Sequence, residues 1–130
     1  MLKSLHIENF AIVDEANVSF DDGLNVITGE TGVGKSLIVD ALSIALGERA
    51  FKDFIRDGYS SAIVEAVFEL KRGDYSRLGI DSATITVKRE IKLQGSSKVW
   101  INVVFPVAGP PANTIFLAIN RSCNLGTQVT

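Results

Sequence analysis

Eight consecutive residues have the types and spacing of a loop that holds the phosphates of a nucleotide. They fit the pattern G-x-x-x-x-G-K-[ST] and are Gly29, Glu30, Thr31, Gly32, Val33, Gly34, Lys35 and Ser36. The glycines let the backbone curl so that N–H groups point at phosphate oxygens, and a helix that begins there adds the positive end of its dipole. Lys35 is expected to reach the β- and γ-phosphates, and the Ser36 hydroxyl to bind Mg²⁺. The pattern predicts a site for ATP and Mg²⁺.

The residues around this loop predict the elements that such a site needs. The segment from Leu24 to Thr28 is short and mostly apolar, which is typical of a central strand covered on both faces. From Lys35 to Ala45 apolar residues recur at helical spacing, and Gly47 stands where a C-terminal cap is expected. A strand, a loop and a helix in this order favour a phosphate loop over a chance match.

Apolar and polar residues alternate in five further segments, which predicts half-buried strands. These segments are residues 5–8, 16–20, 64–70, 84–91 and 98–102. The fold class that we predict is α/β, with a mixed sheet in which antiparallel strands surround the phosphate-loop strand and its helix.

Length and composition exclude several classes of protein. The 130 residues suit one domain, and 46% hydrophobic and 22% charged residues are ordinary globular values. The net charge of -2 shows no overall basic character for nucleic acid, and Cys123 alone forms no internal disulfide. Without a run of signal-peptide or membrane-spanning length, we expect a cytoplasmic protein with no membrane partner.

The segment from Phe10 to Glu15 imitates a Walker B strand, because four apolar residues precede Asp14 and Glu15. A Walker B strand runs parallel to the strand before the phosphate loop, and a parallel crossover needs about a dozen residues or more. Only Ala16 to Gly23 separate the two segments. We therefore expect an edge strand that runs into a turn.

Segments that other nucleotide-binding enzymes carry are missing. Guanine-binding P-loop proteins have Asp-x-x-Gly and Asn-Lys-x-Asp segments, and neither occurs in this sequence, which disfavours GTP. A Leu-Ser-Gly-Gly signature and a second acidic strand after the loop are also missing. Groups that poise water or stabilise a transition state are therefore not evident, and the sequence predicts phosphate binding without hydrolysis by this chain alone.

Arg56 is a further candidate, since it is an isolated cation shortly after the predicted helix. A loop at this place could bring it to phosphate as a catalytic group. The alternative is a surface ion pair with Asp53 or Asp57. His6 and Trp100 are given no functional role.

Three separated blocks around the loop resemble the start of the RecN family, bacterial DNA-repair ATPases related to the SMC proteins. The blocks are Leu5-His6-Ile7-Glu8-Asn9-Phe10-Ala11-Ile12-Val13, Leu24-Asn25-Val26-Ile27-Thr28-Gly29-Glu30-Thr31-Gly32 and Leu46-Gly47-Glu48-Arg49-Ala50. The blocks match in order, so the resemblance is specific, and it covers about Met1 to Asn102.

The resemblance implies the N-terminal lobe of an ABC-type ATPase head, which this family splits between the two ends of its chain. The signature and Walker B strand would lie in a C-terminal lobe, and hydrolysis would need a second head in a homodimer. DNA would be the partner of the complete protein, in double-strand-break repair and recombination at the nucleoid. The loop residues keep their roles by this resemblance, and Arg56 is similar to an arginine that SMC-type heads place near nucleotide or DNA.

The tail from Val103 to Thr130 departs from the family, since Val-Val-Phe-Pro follows Asn102 where an Asn-Gly turn and a charged helix are expected. Arg121 is its only charge, and its three prolines predict no regular element. We divide the chain into a lobe, residues 1–102, and an atypical tail, residues 103–130. The tail is either a diverged terminus or the product of a shifted or truncated reading frame, and we expect it to add little stability.

Two other functions stay open. An autonomous P-loop phosphotransferase would need cations after the loop, for which Lys88, Arg89 and Lys92 are candidates. The second is an inactive fragment that binds nucleotide weakly or not at all, which the tail favours.

Overall fold

The computed structural model describes residues 1–30, 34–71, 82–105 and 117–124. Its elements are strands β1 (Leu2–Phe10) and β2 (Val13–Ser19), helix α1 (Gly34–Ala45), a short 3-10 helix (Lys52–Phe54), and strands β3 (Ser61–Lys71), β4 (Ser82–Lys92), β5 (Lys98–Phe105) and β6 (Leu117–Asn124).

The strands form one six-stranded sheet in the order β2-β1-β3-β4-β5-β6. Each of these neighbouring pairs is antiparallel. The register places Val64 of β3 between Ile7 of β1 and Arg89 of β4. The five strands predicted from alternation are confirmed, because one face of this sheet is buried and the period of two places every second side chain there.

Helix α1 covers that buried face. Its inward residues Leu37, Ala41 and Ile44 follow the spacing of one helix face and are buried. They form one core with Leu5 and Ile7 of β1 and with side chains of β3 and β4. The helix packs chiefly on β3 and β4, so the sheet holds it near its middle.

The predicted C-terminal cap of α1 is confirmed. Gly47 has a φ of 114°, a value that favours glycine. The Gly47 N–H donates to the Ile44 carbonyl at 3.1 Å, and the Glu48 N–H donates to the Ser43 carbonyl at 3.0 Å. This pair of bonds is a Schellman motif, which satisfies carbonyls that the last turn leaves without helical partners.

The strand predicted from Leu24 to Thr28 is wrong. This segment lies outside the sheet, with Leu24 90% and Val26 72% exposed. The Asn25 side chain exchanges two hydrogen bonds of 2.9 Å with the backbone of Asp21, and such local bonds turn the chain and compete with strand pairing. None of the six described strands pairs with the segment.

The prediction that the tail contains no regular element is also wrong. Strand β5 continues to Phe105, and β6 pairs with it from Phe105 opposite Leu117 to Lys98 opposite Asn124. The prolines at positions 106, 110 and 111 fall between the two strands in sequence, so they interrupt neither ladder. Those prolines are outside the described residues, and the division of the chain at Asn102 stays a prediction.

A sheet with one helix on its face is an α/β lobe, as expected. We expected a mixed sheet, whereas every described strand pair is antiparallel. Over the described ranges no helix is a candidate for crossing a membrane, and α1 has only 12 residues.

Candidate phosphate-binding site

The first turn of α1 carries the end of the predicted phosphate loop. Gly34 begins the helix, Lys35 is partly buried, and Ser36 is exposed. The Lys35 Nζ donates a hydrogen bond of 2.8 Å to the carbonyl oxygen of Gly29. This bond links the Lys35 side chain to the backbone of Gly29. Glu30 is exposed, and Thr31, Gly32 and Val33 lie outside the described residues.

The described part of the loop fits a phosphate group and a magnesium ion. A Cβ atom added at Gly29 or at Gly34 would meet nothing within 4 Å, so there is open space beside both backbones. The first turn of α1 contains no acidic residue that would repel an anion. A helix N-terminus carries unpaired N–H groups and the positive end of the helix dipole, which favour an anion, and the Lys35 ammonium lies at this end of α1. The Ser36 hydroxyl oxygen is a donor atom of the kind that Mg²⁺ prefers.

Arg56 forms an ion pair, although not with the predicted partners. Its Nη1 lies 3.6 Å from Oδ1 of Asp14, in β2, and donates to the carbonyl of Ile12 at 3.3 Å. The Tyr59 hydroxyl donates to the same Asp14 oxygen at 3.4 Å. The expectation of Asp53 or Asp57 is wrong because the backbone after α1 runs along the β1–β2 turn, which places the Arg56 guanidinium beside Asp14 of β2.

The β1–β2 turn is held by this same segment. The Ala11 N–H donates to the Phe54 carbonyl at 2.7 Å, and the Arg56 N–H donates to the Asn9 carbonyl at 2.9 Å. The rings of Phe10 and Phe54 stack with centroids 5.0 Å apart. Asn9 and Ala11 both have a φ of 51°, an unfavourable backbone region for Ala11 that these contacts hold in place.

The rejection of a Walker B strand at Phe10 to Glu15 agrees with the structure. Phe10 ends β1 and Val13 begins β2, and the two residues pair across a tight turn. Asp14 and Glu15 are exposed on β2, which lies at one edge of the sheet. The segment comprises the end of β1, the turn and the start of the edge strand β2, so the turn comes before the edge strand and not after it, with the acidic residues on the surface.

Comparison with known proteins places the chain in a family. A family model described as an AAA domain matches residues 4–122. The chain belongs to the AAA domain family.

Several curated relatives of this AAA domain chain are DNA repair proteins named RecN. The chain is 42% identical over 109 residues to RecN of Bacillus subtilis and to RecN of Halalkalibacterium halodurans. It is 40% identical over 103 residues to RecN of Synechocystis. The first two matches cover 78% of this chain and 19% of each relative, so the chain spans about a fifth of their length. The resemblance to RecN is confirmed.

Arg89 of this AAA domain chain has a buried position that the sequence did not predict. It was a candidate catalytic cation together with Lys88 and Lys92, but the structure separates the three. Arg89 is buried against α1, whereas Lys88 points to the opposite face of β4 and Lys92 lies 3.6 Å from Glu90. The burial of Arg89 could have been predicted from the sequence, because Arg89 occupies the same alternating positions of the strand as the apolar residues Val87 and Ile91.

Proposed function

We propose that this chain is the ATP-binding N-terminal lobe of a RecN-like ATPase head that acts in DNA double-strand-break repair and recombination. The observation that carries the proposal is the open first turn of α1, where the Lys35 ammonium bonds to the Gly29 carbonyl and no side chain fills the space beside the glycines. The names of the RecN relatives support the part in DNA repair.

Different groups of the described residues would bind the phosphates and the magnesium ion. The Lys35 ammonium exchanges its bond to the Gly29 carbonyl for phosphate oxygens, and the backbone N–H groups from Gly34 onward hold the same anion. The Ser36 hydroxyl holds Mg²⁺, which when bound neutralises charge on the phosphates. Glu30, Thr31, Gly32 and Val33 complete the loop in this proposal.

The exposed segment after β2 supports a second lobe as partner. Leu24, Val26 and Ile27 are 90%, 72% and 41% exposed, and such a contiguous apolar run is unfavourable in water unless another surface covers it. We propose that the C-terminal lobe of the same head covers this segment. A second head, and DNA bound by the complete protein in the cytoplasm, at the nucleoid, complete the proposed assembly.

The experiment that tests nucleotide binding is calorimetry of the 130-residue chain with Mg-ATP. Lys35→Ala should weaken binding at least about tenfold, because only backbone dipoles then face the β- and γ-phosphate charges. Lys98→Ala is the matched control, since it removes the same charge from β5 and should bind like the wild type. Equal affinity of the wild type and Lys35→Ala would refute the site, and no binding by the wild type would support the inactive fragment.

A measurement of ATP hydrolysis distinguishes the N-terminal lobe of an ATPase head from an autonomous phosphotransferase. We expect no ATP hydrolysis above background by this chain, because Arg89 is buried and Lys88 and Lys92 lie on the other face of β4. Addition of a RecN C-terminal lobe should produce turnover. Phosphate release by the chain alone that depends on Lys35 would instead establish an independent enzyme.

A further inference from the structure

Arg89 is a buried cation at the far end of the phosphate-loop helix. It lies in β4 on the face that packs against α1, and only 6% of its surface is exposed. Among the residues whose burial the structure describes, it is the one buried polar or charged side chain. Burial of a guanidinium is strongly unfavourable unless other groups compensate its charge, so its partners need an explanation.

The partners of Arg89 are backbone carbonyls at the end of α1. Its Nη1 donates to the Ile44 carbonyl at 2.8 Å and also to the Glu48 carbonyl. These two carbonyls flank the Gly47 cap. The Arg89 Nε has no hydrogen-bond partner among the described residues, so the described hydrogen bonds of the guanidinium are the two from Nη1 to these carbonyls.

The helix dipole supplies the compensating charge. The C-terminal end of a helix carries a partial negative charge, which favours a nearby cation. The last turn of α1 contains no basic residue of its own, so β4 provides the cation from outside the helix. Burial lowers the pKa of Arg89 because desolvation penalises the charged form, yet an arginine side chain stays protonated in proteins.

We infer that Arg89 is a positioning residue for phosphate binding, which fixes the C-terminal end of α1 on β4 and thereby sets where the first turn of the helix presents its N–H groups. This inference rests on the proposed function. The helix has 12 residues and is about 18 Å long, so a shift at one end moves the other. Contacts of Leu37, Ala41 and Ile44 hold the helix on the sheet, but hydrophobic contact is not directional, whereas hydrogen bonds are.

The test compares Arg89→Met, which removes the bonds, with Arg89→Lys, which keeps the charge but loses the planar fork. Affinity for Mg-ATP is measured by calorimetry at a temperature where every variant is folded. Arg89→Met should raise the dissociation constant about tenfold, and Arg89→Lys should recover part of that loss. Lys88→Met is the matched control, because it removes the neighbouring charge from the opposite face of β4 and should bind like the wild type.

A second control separates positioning from general stability. Ile7→Val reduces a buried side chain of β1 away from the Arg89 carbonyls, and it should lower the melting temperature without changing Mg-ATP affinity. Hydrogen exchange without nucleotide gives a direct readout. The amides of Leu46, Gly47 and Glu48 should exchange faster in both Arg89 variants than in Lys88→Met, because the cap they form is no longer tied to β4.

The outcomes are distinct. If the wild type binds Mg-ATP and Arg89→Met binds it equally well, the positioning role is wrong and the proposed function stands. If Ile7→Val weakens binding as much as Arg89→Met, the effect is one of general stability and the role is again wrong. If the wild type does not bind, the proposed function and the positioning role are both wrong. If Arg89→Met does not fold, Arg89→Lys decides, and wild-type affinity with unchanged exchange at Glu48 would contradict the inference.

Discussion

Lys35 and Ser36 are neighbours in the first turn of α1, and each brings a different chemistry to the same place. The ammonium is a point charge that already bonds to the Gly29 carbonyl, and the hydroxyl is an exposed oxygen available to a metal ion. Arg56 differs from both, since its guanidinium is engaged by Asp14 and by the Ile12 carbonyl. The three candidate residues therefore differ in the hydrogen bonds and ion pairs that they already form.

The role of Ser36 predicts a dependence on metal. Ser36→Ala should weaken ATP binding severalfold in the presence of Mg²⁺, because the ion loses one oxygen ligand from the protein. With the metal chelated, the wild type and Ser36→Ala should bind ATP equally. Ser36→Thr keeps the hydroxyl and serves as the control. Calorimetry under both conditions checks this, and an equal loss with and without Mg²⁺ would contradict a metal-binding hydroxyl.

The Arg56 ion pair predicts a small structural effect and no effect on binding. The side chains of Arg56 and Asp14 are 35% and 70% exposed, so solvent screens the pair and its contribution is below about 1 kcal/mol. Arg56→Ala and Asp14→Ala should therefore each lower the unfolding free energy only slightly, measured in urea. Both variants should keep wild-type affinity for Mg-ATP. A loss of affinity in Arg56→Ala alone would assign Arg56 to the phosphates.

At the scale of elements, β1 is tied at both ends to segments outside its own hairpin. At its start the Lys3 Nζ lies 3.0 Å from Asp22 and 3.1 Å from Glu69, which joins β1 to the turn after β2 and to β3. At its end the β1–β2 turn is held by the backbone of Phe54 and Arg56. These contacts fix the sheet on which α1 rests.

The Lys3 cluster predicts a loss of stability at high pH. Hydrogen bonds to Asp22 and then Glu69 raise the pKa of Lys3 above its ordinary value of 10.5. A pKa that is higher in the folded state means that the stabilisation is fully present below the unfolded pKa and is lost as pH rises through the folded pKa. As pH rises above about 10, the urea midpoint of the wild type should fall more steeply than that of Lys3→Met. Parallel curves for the two proteins would show that this cluster adds no stability.

At the scale of the whole molecule, β6 is an edge strand of the described sheet, and the segment before the phosphate loop lies outside the sheet. The described strands bury one face under α1, while Leu24, Val26 and Leu46 remain more than half exposed. The chain spans about a fifth of the length of its RecN relatives, with 19% coverage. Leu24 and Val26 belong to the segment that the C-terminal lobe covers in the proposed assembly.

The β5–β6 ladder changes the expectation for the tail. Truncation after Asn102 removes β6 together with the last three residues of β5, and it leaves the rest of β5 as an unpaired edge. It should therefore lower the unfolding free energy by about 1 kcal/mol and promote aggregation. The melting temperature should fall by about 3 °C or more. Truncation after Asn124 keeps both strands and is the control. Unchanged stability and better solubility after truncation at Asn102 would restore the original expectation of a dispensable tail.

The sequence by itself determined the local elements of this protein. The spacing of Leu37, Ala41 and Ile44 and the position of Gly47 were sufficient for α1 and its cap, because helix contacts and the Schellman motif involve residues close in sequence. Alternation located the strands, since a strand with one buried face places every second side chain inward. The RecN resemblance likewise depended on motifs that can be read in order along the chain.

Only the tertiary structure decided the features that depend on distant partners. An apolar run such as Leu24 to Thr28 is a strand only if another strand pairs with it, and the local bonds of Asn25 are formed instead. Strand β6 exists because β5 offers an edge, which the composition of the tail does not show. The roles of Arg56 and Arg89 also follow from packing, because their partners Asp14 and Ile44 are far away in sequence. A side chain's type fixes which bonds it can form, but the packing of the chain fixes which groups are near enough to form them.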